Sequence, residues 1–206
     1  MKPFLPPELL QQLIRTRRSV RHFSPTAIPP ELLERILETA TWAPSAHHRQ
    51  PWRFVVLKTA QARRLLAEGM GAAFRKDLLA DGRSPEDVED SVDRSRQRIL
   101  SAPAAILLCL ETKPGDVYPD SARKQAEYLM GVQSVALAGG SLLLAAHAEG
   151  LGGVWVCAPL FARSAARRAL ELPADWEPQG LILLGYPEKY PDLRPRLPLA
   201  TVTRYL

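Results

Sequence analysis

AAILLCL, residues 104–110, is a run of apolar residues with no polar alternation. A strand with this pattern is buried on both faces, so it needs other elements packed against each side of its sheet. GLILLGY (180–186) has the same character, and WRFVVL (52–57) and GVWVC (153–157) are shorter strand candidates. Longer helical patterns separate these strands, which predicts an α+β fold with four or five short strands.

Apolar periodicity and capping residues predict the helices: 7–15, 30–42, Thr59 to about Glu68, a helix starting at Ser84–Pro85, 121–148, and 161–172 with Ser164 as its cap. Gly131, Gly139 and Gly140 lie inside the long helix, where glycine costs roughly 1 kcal/mol relative to alanine. We therefore expect another element to approach this helix closely. Gly150 is suited to end it.

The length of 206 residues suits one domain over residues 1–206. The net charge of +5 favours anionic ligands, but no recognisable nucleic-acid-binding module accompanies it. Cys109 and Cys157 form no CxxC pair, which disfavours a zinc site or a disulfide and is typical of a reduced, cytoplasmic protein. Polar residues and glycines interrupt the apolar regions, so we expect neither a signal peptide in MKPFLPPELLQQL nor a membrane span in 134–156.

RTRRSVRHF, residues 15–23, concentrates positive charge after the first predicted helix. In an extended segment Arg17, Ser19 and Arg21 point the same way. Two guanidinium groups and a hydroxyl on one side can grip a phosphate. The alternative is an exposed helix end whose basic residues interact with the helix dipole, and the spacing leaves both interpretations open.

WAPSAHHRQPWRF, residues 42–54, is a polar loop framed by proline between a helix and a strand. Its paired histidines invite a metal interpretation, but no third ligand with suitable spacing is visible, so we predict no metal site. A flat aromatic ligand that needs hydrogen bonds at its edge suits these residues better. Loops held between rigid elements often carry function.

GLGGVWVCAP, residues 150–159, is not a GxGxxG phosphate turn, because its glycines precede a strand rather than follow one. The backbone after that strand, at Cys157 and Ala158, is positioned to donate to a ligand. Cys157 as a nucleophile is a weaker alternative, since no histidine partner is evident in the sequence.

These pieces, with LILLGYP (181–187) and a basic tail, occur in an order that resembles the FMN-dependent nitroreductase family over nearly the whole chain. The resemblance implies a small mixed or antiparallel sheet flanked by helices. It also implies an intertwined homodimer with FMN at its interface and a C-terminal tail swapped onto the partner. Its activity would be ping-pong hydride transfer through FMN, with NADH or NADPH as donor.

The resemblance also implies the cofactor-binding residues. Arg17, Arg18, Ser19, Val20 and Arg21 would hold the FMN phosphate and ribityl oxygens, helped by Arg194 and Arg196. Further contacts would come from Pro44, Ser45 and His48 of the partner subunit's loop, from Gln133, and from Val156, Cys157 and Ala158 beside flavin N5. Ala46 and His48 stand where many members carry a second serine and an asparagine. No residue of the chain is implied as catalytic, since the flavin carries the chemistry.

APSAHH, the charged segment 74–100, YPD (118–120) and LPADWEPQGLILLGYPE resemble one subgroup. It is the nitroreductase-like C-terminal domain of bacterial ligases that glutamylate an 8-hydroxy-5-deazaflavin coenzyme, here free-standing. The substrate would be a dehydro precursor of that coenzyme, contacted by Asp77, with Arg53, Arg75, Lys76 and Arg96 as candidates for its anionic tail. The alternatives are a general NAD(P)H-dependent nitro or quinone reductase, and a non-catalytic flavin or deazaflavin-binding protein.

Overall fold

The computed structural model describes residues 5–113 and 116–206, so part of the N-terminal stretch considered for a targeting signal, residues 1–4, lies outside it. The helices are α1 Pro7–Thr16, α2 Pro30–Thr41, α3 Ala60–Ala80, α4 Pro85–Leu100, α5 Ser121–Ala148, α6 Ala158–Phe161, α7 Arg163–Ala169 and α8 Leu199–Val202, with a 3-10 turn at Ala46–His48. The strands are β1 Trp52–Val56, β2 Ala104–Glu111, β3 Gly152–Val156 and β4 Trp176–Gly185.

The four strands form one antiparallel sheet in the order β1-β2-β4-β3. β2 and β4 occupy its centre, as expected from their unbroken apolar sequences. Ile106, Leu108 and Leu110 of β2 face a core shared with α2 and α5, whereas Leu107 and Cys109 face a second core shared with α3 and α7. The predicted α+β class, the antiparallel sheet and the two-sided burial of 104–110 are confirmed.

Three boundaries differ from the sequence-based expectation. α3 continues to Ala80 instead of ending near Glu68, because Met70 and Leu78 extend its buried stripe. α7 begins at Arg163 after Ala162, so Ser164 is not its cap. β4 begins at Trp176, because its first residues extend the pairing with the end of β2. Ser84 does cap α4, accepting a hydrogen bond from the Asp87 amide at 3.2 Å.

The glycines of the long helix α5 do not behave alike. A Cβ on Gly131 would lie 2.9 Å from Leu110 Cδ1, and a Cβ on Gly139 would overlap the Trp155 ring. Gly140, by contrast, faces open space, so the expectation of a close approach is confirmed at the first two positions only. Gly150 ends the helix at φ +79°, where its amide donates to the His147 carbonyl as glycine-ended helices require.

One side of α5 is buried and the other is not. By length and composition alone the helix is apolar enough to cross a membrane, and 33% of its most apolar window is buried. Ser134, Val135, Ala138, Leu142 and Ala146 pack toward the sheet. The opposite stripe leaves these residues exposed: Leu129, Gln133, Ala136, Leu137 and Gly140. We interpret α5 as a core helix whose outer face remains uncovered within one chain.

The tail also lacks a partner within the described residues. Glu188 still bonds the His22 carbonyl through its amide, at 3.1 Å. Beyond it the apolar side chains are exposed to solvent: Leu193, Leu197, Leu199, Val202, Tyr205 and Leu206. These six side chains form an exposed apolar surface that no other described residue covers.

Replacing Gly139 with alanine should lower the free energy of unfolding by about 1–3 kcal/mol, because the added methyl overpacks the contact between α5 and β3. Urea denaturation of the purified protein measures the change. The matched comparison is Trp155→Phe, which supplies a smaller ring at the same site. In a double-mutant cycle, Gly139→Ala should cost less in the Trp155→Phe background than in the native one. An equal loss of stability from Gly139→Ala in both backgrounds would contradict the contact between Gly139 and Trp155.

Candidate functional site

The basic run lies against the start of β3. α1 ends at Thr16, and from Arg17 the backbone is extended. Ser19 forms a parallel bridge with Gly153, and the Val20 amide donates to the Gly153 carbonyl at 3.1 Å. Val20 is buried, and a side chain at Gly152 would collide with it. Val20 thus anchors the run, while its neighbours remain at the surface.

The arginines of the run differ in their partners. Arg18 donates to the carbonyls of Arg15 at 2.6 Å and Arg17 at 2.9 Å, which is the helix-end role considered as an alternative. In the described part of the chain, the guanidinium of Arg21 donates one hydrogen bond, to the Ser19 carbonyl at 3.3 Å. Within residues 5–113 and 116–206, neither Arg17 nor Arg21 pairs with a carboxylate. Both therefore keep donors for an external anion.

Arg196 of the tail joins this cluster. Burial, and then the positive charges of Arg196 and Arg18, lower the pKa of Arg17. The structure therefore brings Arg196 within electrostatic reach of the run, although the tail is far away in sequence. Arg194 is exposed and makes no recorded contact in the described part of the chain. Like charges gathered in this way are stabilised by a bound anion.

His147 lies at the same place, and sequence reasoning did not single it out. Its Nε2 is 2.9 Å from the Thr16 hydroxyl oxygen. Burial, and then the charges of Arg17 and Arg18, lower the pKa of its imidazole. No local signal could have identified it, because α5 and α1 meet only in the folded chain.

The end of β3 supplies the second part of the site. The amide groups of Cys157 and Ala158 donate to no acceptor in the part of the chain that the structure describes. Val156 precedes them and is half-buried. The Cys157 thiol is exposed and has no histidine bonded to it among these residues, so the nucleophile alternative lacks a base. Burial raises the pKa of the Cys109 thiol to about 12, which makes it unreactive.

The loop before β1 is backbone-strained. His47, His48 and Gln50 have φ of 51°, 54° and 50°, a region that costs a non-glycine residue about 1–3 kcal/mol when the conformation is unfavourable. Ser45 Oγ accepts from the Gln50 amide at 3.1 Å, and Gln50 Nε2 lies 3.0 Å from His48 Nε2. Strain held by such contacts is common where a loop presents groups to a ligand. Pro44 is exposed beside it.

The loop also bears on the metal question. His47 lies with Asp116 and Glu127 in a group whose ligand atoms are within 4.8 Å of one another, an arrangement that the sequence did not reveal. Both carboxylates, however, pair with Arg49, whose positive charge competes with a cation. The one guanidinium offsets one of the two negative charges, and its ion pairs engage both carboxylates, so a metal ion bound here would have to displace Arg49.

The strained loop and the basic run are far apart in one chain. The Ala46 amide donates to Ser134 Oγ at 3.3 Å, next to exposed Gln133, at the middle of α5. The basic run meets His147 at the end of that helix. Thirteen residues separate Ser134 from His147, or about 20 Å along a helix. Within one chain the predicted residues therefore form two groups, the strained loop at the middle of α5 and the basic run at its end.

Asp77 belongs to a cleft that reaches the end of β3. The cavity between α3 and α4 has a volume of about 490 Å³, and its lining includes Asp77, Val156 and Ala158. The predicted anchors for an anionic tail lie elsewhere. Arg53, Arg75 and Arg96 are paired respectively with Glu111, Glu89 and Asp93. These arginines therefore do not offer the free charge that the sequence suggested.

Comparison with known proteins identifies the family. Residues 14–186 match the profile of the Nitroreductase family. The chain belongs to that family. It is 33% identical to an iodotyrosine deiodinase of Haliscomenobacter hydrossis, covering 98% of this chain and 94% of the relative. It is 31% identical to an NADH dehydrogenase/NAD(P)H nitroreductase of Methanothermobacter thermautotrophicus, covering 89% and 80%.

Solved structures agree on the fold of this nitroreductase-family chain. A nitroreductase from Desulfovibrio desulfuricans, in complex with FMN, superimposes with a TM-score of 0.71 at 27% identity and covers 98% of each chain. The family prediction, and with it an oxidoreductase that uses FMN, is confirmed at the level of the family. The deazaflavin subgroup, the dimer and the individual site residues remain predictions.

Proposed function

We propose that the protein is a homodimeric, FMN-dependent oxidoreductase that takes electrons from NADH or NADPH and passes them to a planar aromatic acceptor. The observation that carries this proposal is that Arg17 and Arg21 of the basic run, and Arg196, whose charge acts on Arg17, all keep free guanidinium donors. None of the three pairs with a carboxylate in residues 5–113 and 116–206. Such a site fits a dianionic phosphate better than a neutral ligand.

The residues present fit FMN at both of its ends. Arg17, Ser19, Arg21 and Arg196 offer charged and hydroxyl donors for the phosphate. The free amides of Cys157 and Ala158 offer neutral donors for the edge of a ring. Four residues of extended chain, about 13 Å, separate the Ser19 bridge at Gly153 from Cys157, so one elongated ligand can reach both.

When bound, FMN supplies the two-electron chemistry that accepts reducing equivalents from the donor and delivers them to the acceptor. The chain itself positions the cofactor and polarises its ring. The amides of Cys157 and Ala158 favour negative charge on the ring edge that they face, as preorganised donors do. Arg17 and Arg21 hold the phosphate end, and Val156 lines the cleft beside the two amides.

The partner subunit completes the site. Pro44, Ser45, His48 and Gln133 lie about 20 Å from the basic run within one chain. In a symmetric dimer they would serve the partner's cofactor. The exposed stripe of α5 and the uncovered tail provide the apolar surface for such a dimer.

Several aromatic molecules are candidates for the acceptor. One relative is named a nitroreductase and another a deiodinase, which supports a general nitro or quinone reductase, with iodotyrosine as a further substrate to test. As a second candidate, the acceptor is a dehydro precursor of the deazaflavin coenzyme, for which the proposed contact is Asp77, a residue that lines the same cavity as Val156 and Ala158. The free thiols of Cys109 and Cys157 suit a cytoplasmic location.

The purified protein should be yellow and should release FMN on denaturation. It should oxidise NADH or NADPH over many turnovers only when an acceptor is present. The acceptors to compare are a neutral nitroarene, a quinone, iodotyrosine and the dehydro-deazaflavin precursor. Turnover of the nitroarene alone would remove the biosynthetic assignment. A flavin-containing protein that turns over none of them would support the non-catalytic binding alternative, and a colourless protein that takes up no FMN would contradict the proposal.

A further inference from the structure

Two arginines of α4 remain without a carboxylate. Arg94 and Arg98 lie one helical turn apart, and neither forms an ion pair within residues 5–113 and 116–206. Among the described residues, the one side-chain partner of Arg94 is Ser91 Oγ, which accepts from it at 3.0 Å. Like charges at this spacing destabilise a helix. Their neighbour Arg96 is paired with Asp93. Arginines without a carboxylate partner are therefore found on the side of α4 that faces the cleft.

Both arginines line the α3–α4 cleft, whose walls suit an aromatic body. Met70, Phe74, Leu78 and Phe161 contribute its apolar surface. Phe161 is 81% exposed and Phe74 is 38% exposed, although such side chains are usually covered. Exposed rings beside a cavity can stack on a planar ligand.

The opposite wall of the cleft carries negative charge. Asp77 and Asp81 lie one turn apart at the end of α3 and line the same cavity as Arg94 and Arg98. No ion pair closes the gap between the two walls in the described residues, so space for a ligand remains between them. An acidic group entering the cleft is repelled by the aspartates and attracted by the arginines, which orients it toward α4.

The positive charge continues beyond the cleft. Arg94 and Arg98 also line a neighbouring depression with Arg21 and His22 of the basic run. Asp90 and Asp93 lie on that depression as well, and Asp93 is paired with Arg96. Arg94 and Arg98 are thus shared between this depression and the cleft that reaches Val156 and Ala158, and their charge favours the approach of anions.

We propose that Arg94 and Arg98 bind the acidic group of an aromatic substrate whose ring occupies the α3–α4 cleft next to Val156 and Ala158. The substrate class is an aromatic carboxylate or phosphate. This inference rests on the proposed function, because it gives that same site its preferred acceptor.

The test compares 4-nitrobenzoate with its neutral analogue 4-nitrobenzamide, using native protein and the Arg94→Gln/Arg98→Gln variant. Loss of the arginines should lower kcat/KM for 4-nitrobenzoate about tenfold or more and leave that for 4-nitrobenzamide within about twofold. The matched control is Arg64→Gln/Arg83→Gln, which removes the same charge from exposed positions outside the cleft and should change neither value. Calorimetry with oxidised protein and no donor measures the binding of 4-nitrobenzoate without turnover.

Equal effects on both acceptors, or no effect on either acceptor and unchanged calorimetric affinity, would overturn the inference while leaving the proposed function intact. A protein that contains no flavin and reduces neither nitroarene would contradict the proposed function instead. In that case the calorimetric affinity still decides the inference: binding of 4-nitrobenzoate that is weakened in Arg94→Gln/Arg98→Gln supports it, and no binding contradicts it.

Discussion

Replacing both Arg17 and Arg21 with alanine should weaken FMN binding by a factor of about 10²–10⁴. Each guanidinium lacks a carboxylate partner in the described residues, so each can devote its donors to the phosphate. A hydrogen bond to a charged group contributes about 1.5–3 kcal/mol, and about 1.4 kcal/mol corresponds to a tenfold change in affinity. Titration of the apoprotein with FMN, followed by flavin fluorescence, measures the loss.

Riboflavin provides the control for this experiment, because it carries the same ring without the phosphate. The double variant should bind riboflavin as weakly as the native protein does. Arg64→Ala/Arg83→Ala removes the same charge at exposed positions and should retain native FMN affinity. FMN affinity that survives the loss of both Arg17 and Arg21 would refute their assignment to the phosphate.

Arg18→Ala is expected to have a smaller effect on FMN. The Arg18 guanidinium donates to carbonyls at the end of α1, so its donors are partly engaged within the chain. Its removal should lower the free energy of unfolding by about 1 kcal/mol, because the end of α1 loses two hydrogen bonds. It should reduce FMN affinity less than Arg17→Ala or Arg21→Ala does. Urea denaturation and the same FMN titration measure the two effects. An FMN loss larger than that of Arg17→Ala would contradict this division of roles.

Leu137→Arg should convert the protein from a dimer to a monomer of 22.9 kDa and should abolish tight FMN binding. Leu137 is 50% exposed on the outer stripe of α5, so a charged side chain there is tolerated within one chain. In the proposed dimer it would be buried without a partner, which costs several kcal/mol. Monomers would also lose the strained loop that the partner supplies. Sedimentation equilibrium measures the mass, and absorbance of the same sample reports the flavin.

Leu79→Arg is the matched control for this change. Leu79 is 47% exposed on α3, away from the α5 stripe, and its replacement should leave both dimer and flavin unchanged. A Leu137→Arg variant that remains dimeric would show that α5 does not form the interface. A monomer that retains native FMN affinity would show that Pro44, Ser45, His48 and Gln133 do not serve the partner's cofactor.

The elements that sequence reasoning located well are those with a local cause. Ser84 and Pro85 start α4 because a side-chain cap and a fixed φ act within one turn. Ser164 looked equally suitable as a cap, but α7 is capped two residues earlier, at Ala162, where packing of Ala162 and Ala166 in the core decides the geometry. α3 likewise ran beyond its predicted end, because its later apolar residues are recognisable as core only once α4 packs against them.

The amino-acid sequence by itself determined the strands, most helices and the family, since these follow from local periodicity and from short contiguous motifs and their order along the chain. Only the tertiary structure decided which arginines are available to a ligand. Arg53 is neutralised by Glu111 and Arg75 by Glu89, whereas Arg94 and Arg98 are left facing a cleft. An ion pair forms only between groups that are close in space. Residues far apart in sequence come that close only when the sheet and its helices have assembled.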